Sequence, residues 1–353
     1  MTDIRLSANE EAAVDGFRRC LGILVGWARK GGPPSACRGE RMAGAASSTE
    51  EVGGAVALVG IACLDVVLDV DEYPGEDTEV RAKSRRRALG GNAANSACVL
   101  AAMGLSPWWV GVLLDPGGSD PDAQLVGKSL EAAGVRVSTT GIVDRGAVPT
   151  SYILSSRTSK SRTIVHHRDL PELSYRDFVG WILGTCAGGS DLSTAAAAER
   201  PHSEWPPELQ AGLKEARSRL AWAHFEGRNV DQVAKMMSLV RDGGRETPFW
   251  ARGGTSGGFS QRLPLVSLEV EKRRADVAAL LGLADVVIVS KDFASSVGAA
   301  SAGAAAAHVA ESCQSHALVV VPWGSSGAYA FIGRDNSLKQ VGVHEPAVAP
   351  PGG

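Results

Sequence analysis

The chain has 353 residues, 44% hydrophobic and 21% charged, with a formal net charge of −3. That length holds one large domain or two ordinary ones, and that composition belongs to a soluble globular protein. The slightly acidic balance argues against nucleic acid and against a polybasic membrane surface, and no apolar run reaches the roughly 18 residues of a spanning helix.

Residues 1–53 stand apart. "RKGGPPSACRGERMAGAASSTEEVGG" is small, polar and aperiodic, which predicts a disordered extension. Met42 lies within it and is a candidate start of translation. The apolar "CLGILVGWA" follows four acidic residues, unlike a signal or transit peptide, so a cytoplasmic chain is expected. The six cysteines (Cys20, Cys37, Cys63, Cys98, Cys186, Cys313) form no C-x-x-C pair and read as reduced thiols.

From Ala55 the pattern becomes periodic. "AVALVGIACLDVVLDV" reads as one buried strand run, and "TEVRAKSRRRA" (78–88) as a half-exposed strand. "AANSACVLAAMG" is a helix closed by Gly104. "WWVGVLL" follows as a strand and "AQLVGKSLEAAGV" as a helix; "TSYILSS" and "RTIVHHR" form a hairpin around "RTSKS". "AWAHFEG", "LVSLEVE", "ADVVIVS" and "ALVVVPWG" are strands separated by helices such as "NVDQVAKMMSLVRDG" and "AAAAHVAESC". The alternation predicts an α/β fold with a largely parallel sheet flanked by helices. The more polar strands near 78–88 and 150–168 suggest a small separate β lid. Segments 184–209 and 242–263, rich in Gly, Ser, Ala and Pro, read as exposed insertions.

Gly127-Lys128-Ser129 ends like a phosphate-binding P-loop, but Asp122 occupies the place of its first glycine and the segment reads as helix interior. No G-x-G-x-x-G follows the first strand. "LGGNAANSA" leaves two readings open. Glycines before a helix start can cradle a phosphate. Asn92 and Asn95, one helical turn apart, offer donors and acceptors that suit neutral hydroxyls better; Asn92 as a simple N-cap stays open beside this. Asp65 favours the hydroxyl reading. A carboxylate inside an apolar strand is costly unless it is paired or bound, and at the C-terminal end of the first strand it would face the ligand crevice of an open α/β sheet. Asp65 with Gly91, Asn92 and Asn95 would make a polyol site.

The stretch "GIACLDVVLDVDEYPGEDTEVRAKSRRRALGGNAANSA" resembles the N-terminal signature of the ribokinase-like (PfkB) sugar kinases, and within them the ketohexokinase branch. The likeness continues through "SRTI", "AHFEGRN", "VSLEVEK", "DVVIVSKD" and "VPWGSSGAYAF", from Ala55 to about Pro351. It implies a ribokinase-like α/β domain over 54–353 that passes a phosphoryl group from ATP, with Mg2+, to a ketohexose such as fructose. It implies that Asp65, Gly91, Asn92 and Asn95 hold the sugar and that Glu226 lines its pocket. Asp77 would lie on a β clasp that reaches a partner in a homodimer. Arg162 would steady the transferred phosphate, and Lys291, Gly324 and Gly327 would lie along ATP. The plain alternatives are a surface charge for Arg162 or Lys291 and a simple turn for Gly324 and Gly327. Two departures stand out. "SKDF" (290–293) replaces the N-x-x-E of many members, which leaves the metal ligands unassigned. The family's D-T-x-G-A-G-D motif, with its anion hole and catalytic Asp, would lie beyond Gly353, so the chain as written is expected to be incomplete there and catalytically silent. A sugar-binding protein without turnover is the alternative.

Overall fold

The computed structural model describes residues 55–138, 141–187, 197–241, 264–274, 276–334 and 337–340. The expectations for residues 1–53, for Met42 and for the 242–263 insertion lie outside them.

The strands are β1 (Ala55–Val59), β2 (Cys63–Val70), β3 (Ser84–Gly90), β4 (Trp108–Val110), β5 (Leu113–Leu114), β6 (Arg136–Val137), β7 (Ile142–Val143), β8 (Thr150–Ser156), β9 (Arg162–His167), β10 (Leu220–Glu226), β11 (Leu265–Val270), β12 (Val286–Val289), β13 (Leu318–Pro322), β14 (Ala328–Arg334) and β15 (Ser337–Gln340). The helices are α1 (Asn92–Ala102), α2 (Pro121–Ala132), α3 (Tyr175–Ala187), α4 (Pro207–Arg219), α5 (Val230–Arg241), α6 (Ala278–Leu281), α7 (Lys291–Ser296) and α8 (Ala302–Ala310). The described residues divide into two compact units, 58–181 and 55–57 with 182–340.

In the second of these, the strands run in the order β15-β14-β13-β12-β11-β10, with β1 next to β10. β10 to β13 are parallel and β13 to β15 antiparallel. "VVIV" and "LVVVP" carry β-branched residues without alternation, the mark of strands buried on both faces. Val286, Ile288, Leu318, Val320, Ala330 and Ile332 form one core cluster with Trp222 packed against it.

In residues 58–181 a four-stranded sheet has the order β3-β2-β8-β9. β2 is antiparallel to β3 and parallel to β8, and β8 is antiparallel to β9. The hairpin expected around "RTSKS" is this last pair. Its tip is tied to the end of β2, where Arg157 N donates to Val70 O (2.9 Å) and Thr158 N to Asp71 O (3.1 Å). The more polar strands therefore belong to a sheet of their own. α2 starts as its sequence requires, with Pro121 in the first turn and the Asp120 carboxylate accepting from Asp122 N and Ala123 N, both at 2.8 Å. Gly127 and Lys128 lie inside this helix, which agrees with the rejection of a P-loop.

Several expectations are corrected. The run 55–70 is two strands, because the chain leaves β1 at Gly60–Ala62 and enters the small sheet as β2. Both pieces are buried, so their apolar pattern runs unbroken across the switch. Asp65 consequently sits early on a lid strand and not at the C-terminal end of the first strand. The strand expected at 78–88 begins only at Ser84 and extends to Gly90. "WWVGVLL" breaks at Gly111 into β4 and β5, which pair with different strands. The segment 184–209 is not simply exposed: α3 extends to Ala187, α4 begins at Pro207, and Trp205 is buried with its indole N–H donating to Ala197 O at 2.7 Å.

Candidate functional site

β2, β8 and β9 place Asp65, Ser151 and His166 directly opposite one another, because Asp65 pairs with Ser151 and Ser151 with His166 in the sheet register. Their side chains therefore share one face. The Cys63 thiol donates to Asp65 Oδ1 (3.5 Å), and Ser151 Oγ, on the residue opposite Asp65, lies 3.8 Å from Cys63 Sγ and 3.1 Å from His166 Nδ1. Burial pushes the Asp65 carboxyl above the ordinary carboxylate range. The Cys63 and Ser151 hydrogen bonds oppose that, and so do the charges of Arg162 and His166.

The glycines of "LGGNAAN" fit this carboxylate. A Cβ on Gly90 would overlap Asp65 Oδ1, so only glycine lets the carboxylate lie flat on the backbone there. Gly91 has φ 97° and precedes the first helical residue, and a side chain on it would strike the Ile61 carbonyl. The N-cap position of α1 is thus Gly91, and Asn92 opens the helix; the reading of Asn92 as N-cap is corrected. Asn95 N donates to Gly91 O at 2.9 Å, while the buried Asn95 Oδ1 meets no hydrogen-bond partner among the described residues. An acceptor withheld from water in this way costs stability unless a ligand supplies the donor.

Arg162 opens β9 on the Asp65 face, four residues from His166. Asp77 lies in the exposed loop joining β2 and β3, with φ 58°.

Glu226, Lys291, Gly324 and Gly327 belong to the other unit. Glu226 ends β10, is buried, and has Oε2 2.7 Å from Arg228 Nε. In the register of β10 with β11 its neighbour is Glu269, and His224 is opposite Ser267. These side chains form a polar row in an otherwise apolar sheet. Trp222 Nε1 donates to Ser267 Oγ at 2.7 Å, so the Ser267 proton is left for His224 Nδ1 at 2.8 Å. Burial pushes the His224 imidazole down to about 4, which keeps it neutral. Its proton is thereby assigned to Nε2, 4.0 Å from Glu269 Oε2. Lys291 is the first residue of α7, capped by Ser290, and its ammonium lies 5.4 Å from the centre of the Trp323 ring. Gly324 begins the short helical turn after Trp323, and Gly327 follows it. The structure thus brings Lys291 to the "WGSSG" turn, as it brings Asp65 and Arg162 to one sheet face.

No helix among the described residues is long and apolar enough to cross a membrane. Sequence reasoning missed Cys63, Ser151, His166, His224, Ser267 and Glu269, all of which join these groups through strand register.

Residues 54–175 match the pfkB carbohydrate kinase family. The chain is 29% identical over 297 residues to mouse ketohexokinase, covering 84% of this chain and 82% of that one. It is 36% identical over 90 residues to an ATP-dependent ribose-1-phosphate kinase of Halopiger xanaduensis, which is 26% of this chain and 29% of the relative. Among solved structures it resembles ribokinase from Giardia lamblia, with TM-score 0.53 and 14% identity over 82% of this chain and 75% of that one. Arabidopsis thaliana ribokinase, solved with ribose and ATP, matches with TM-score 0.50 and 14% identity over 82% and 78%. These structural likenesses show a ribokinase-like α/β fold.

Proposed function

Because residues 54–175 match the pfkB carbohydrate kinase family and the chain is similar to ketohexokinase over 297 residues, we propose that its reaction is transfer of the γ-phosphoryl group of ATP to a primary hydroxyl of a ketohexose such as fructose. Asp65, Gly91, Asn92 and Asn95 hold the sugar in this reading. The observation that carries it is the pairing of two unusual acceptors: a half-buried carboxylate laid over Gly90, and the partnerless buried Oδ1 of Asn95. Neighbouring hydroxyls of a polyol are donors that satisfy both, whereas a phosphate would meet a like charge at Asp65. Arg162 is suited to charge developing on the transferred phosphoryl group. Lys291, with Gly324 and Gly327, is assigned to ATP, and Trp323 holds that lysine in place. Magnesium enters with ATP as part of the substrate. No group of three or more His, Cys, Asp or Glu among the described residues forms a cage for it, and phosphate-bound magnesium keeps much of its own water.

The 353 residues contain no Gly-Ala-Gly-Asp sequence. We therefore propose that they bind sugar and do not by themselves turn it over. Loss of a positioned general base alone lowers a rate by roughly 10²–10⁴. A homodimer built through the lid is proposed with it. Tyr152 on β8 and Val165 on β9, opposite each other in the register, are 52% and 65% exposed and form an apolar pair on one face of the sheet.

Calorimetric titration with fructose, ribose and ribose 1-phosphate, and with MgATP, tests the reading. Fructose binding without fructose-dependent ADP release is expected. Failure to bind any of the sugars rejects the sugar site, and rapid ADP release rejects the silence.

A further inference from the structure

The register of three strands makes Asp65, Ser151 and His166 one connected row, and the donors and acceptors of the row can be assigned. Ser151 stands opposite Asp65 in the register, with its Oγ 3.8 Å from Cys63 Sγ; an ionised carboxylate only accepts hydrogen bonds and does so more strongly than sulfur, so the single proton of the Ser151 hydroxyl is assigned to Asp65. Ser151 Oγ then has only lone pairs to offer His166 Nδ1, 3.1 Å away, and that nitrogen must carry a proton. Both the Nδ1–H neutral form and the imidazolium meet this requirement. The row runs from a buried end to an open one, because Ser151 is buried and His166 exposed on edge strand β9.

We propose that Ser151 and His166 are positioning residues of the sugar site: His166 donates to Ser151, Ser151 donates to Asp65, and the pair holds the Asp65 carboxylate charged and aimed for sugar hydroxyls. This rests on the reading of Asp65 as a sugar ligand. The physical need for such a pair is plain. Asp65 must be ionised to accept from two hydroxyls, and burial works against ionisation. The described groups that face it are few. Cys63 on its own strand donates a weak thiol bond, β8 supplies Ser151, β9 supplies His166 and Arg162, and β3 offers the backbone of Ala88 and Gly90. The hydroxyl is the strong neutral donor among them, and a proton on His166 Nδ1 keeps it from donating to the imidazole instead. Arg162 sits at the far end of the same strand face and adds charge without orienting the hydroxyl.

Two measurements test this, and the first needs no sugar. Nitrogen-resolved NMR of the imidazoles in the full chain is expected to find the His166 proton on Nδ1 above its midpoint. Asp65→Asn is expected to lower that midpoint by about half a unit or more, since it removes a negative charge within reach. A proton on Nε2 alone, or a midpoint that ignores Asp65→Asn, overturns the relay. The second is calorimetry with fructose. Ser151→Ala and His166→Ala are expected to weaken Kd about 5–30-fold, as for loss of a hydrogen bond to a charged group. His166→Asn, whose side-chain amide N–H replaces Nδ1–H, is expected to stay within about threefold of the parent protein, a rescue that a packing role would not produce. Equal affinities across the set overturn the proposal. A relay seen by NMR in a chain that binds none of the sugars instead overturns the functional reading, and the role assigned to the pair falls with it.

Discussion

Two polar rows cross this protein's sheets, and they are built for opposite purposes. Asp65–Ser151–His166 starts half-buried at the carboxylate and ends in solvent at the imidazole. Trp222–Ser267–His224 is closed on itself, with His224 and Ser267 both nearly inaccessible and the imidazole kept neutral. Both rows arise from polar residues placed opposite each other on neighbouring strands. What separates them is access to water: one row ends on an exposed histidine, and the sealed row makes its polar groups a fixed part of the core.

The sealed row offers the largest effect. The unfolded imidazole titrates near 6.5 and the folded one near 4, so between these values the unfolded chain binds more protons. Stability contributed by neutral His224 is complete above about pH 6.5 and is lost as pH falls toward 4, by ~3 kcal/mol in all. Urea unfolding at several pH values in the parent protein and in His224→Gln is expected to show a steeper acid loss in the parent; identical slopes mean that the row is open. Asp65→Asn comes next and probes the open row. It is expected to cost about 100-fold in fructose affinity, because two hydrogen bonds to a charged acceptor are weakened. The same change is expected to raise the thermal midpoint near neutral pH, since the buried carboxylate is harder to ionise folded than unfolded and a neutral amide removes that cost. A lower midpoint would show that the carboxylate stabilises the fold. The smallest effect concerns Lys291, which lies against Trp323 in the unit of the sealed row and is proposed for ATP. Lys291→Ala is expected to weaken MgATP binding about 3–10-fold and to alter Trp323 fluorescence, in keeping with the modest strength of a partly exposed cation–π pair. Unchanged affinity returns Lys291 to a surface charge.

Much of the site's inventory is readable along the chain, and its connections are not. "LGGNAANSA" draws notice to Gly91, Asn92 and Asn95 because glycines and two asparagines one helical turn apart cluster at a single helix start. Asp65 stands out as an acid in an apolar run. Ser151 and His166 do not stand out, since serine and histidine in a polar hairpin have many ordinary uses. Only the pairing of β2 with β8 and of β8 with β9 makes them neighbours of Asp65. The strands β2 and β8 are separated by some eighty residues, and no local pattern encodes their register. The same limit hides the break at Gly60–Ala62. Two buried strands in succession look like one, because burial shapes composition in the same way whichever sheet does the burying.

The amino-acid sequence alone was sufficient for the α/β class, a separate sheet of more polar strands and the rejected P-loop. Each of these depends on spacing within a few residues or on the chemistry of single side chains. The place of Asp65 on a lid strand, the cap at Gly91, the burial of Trp205 and the direction of both hydrogen-bonded rows emerged only in three dimensions. They depend on which strand lies beside which, and hydrogen bonds between strands distant in sequence leave no period in the chain that forms them.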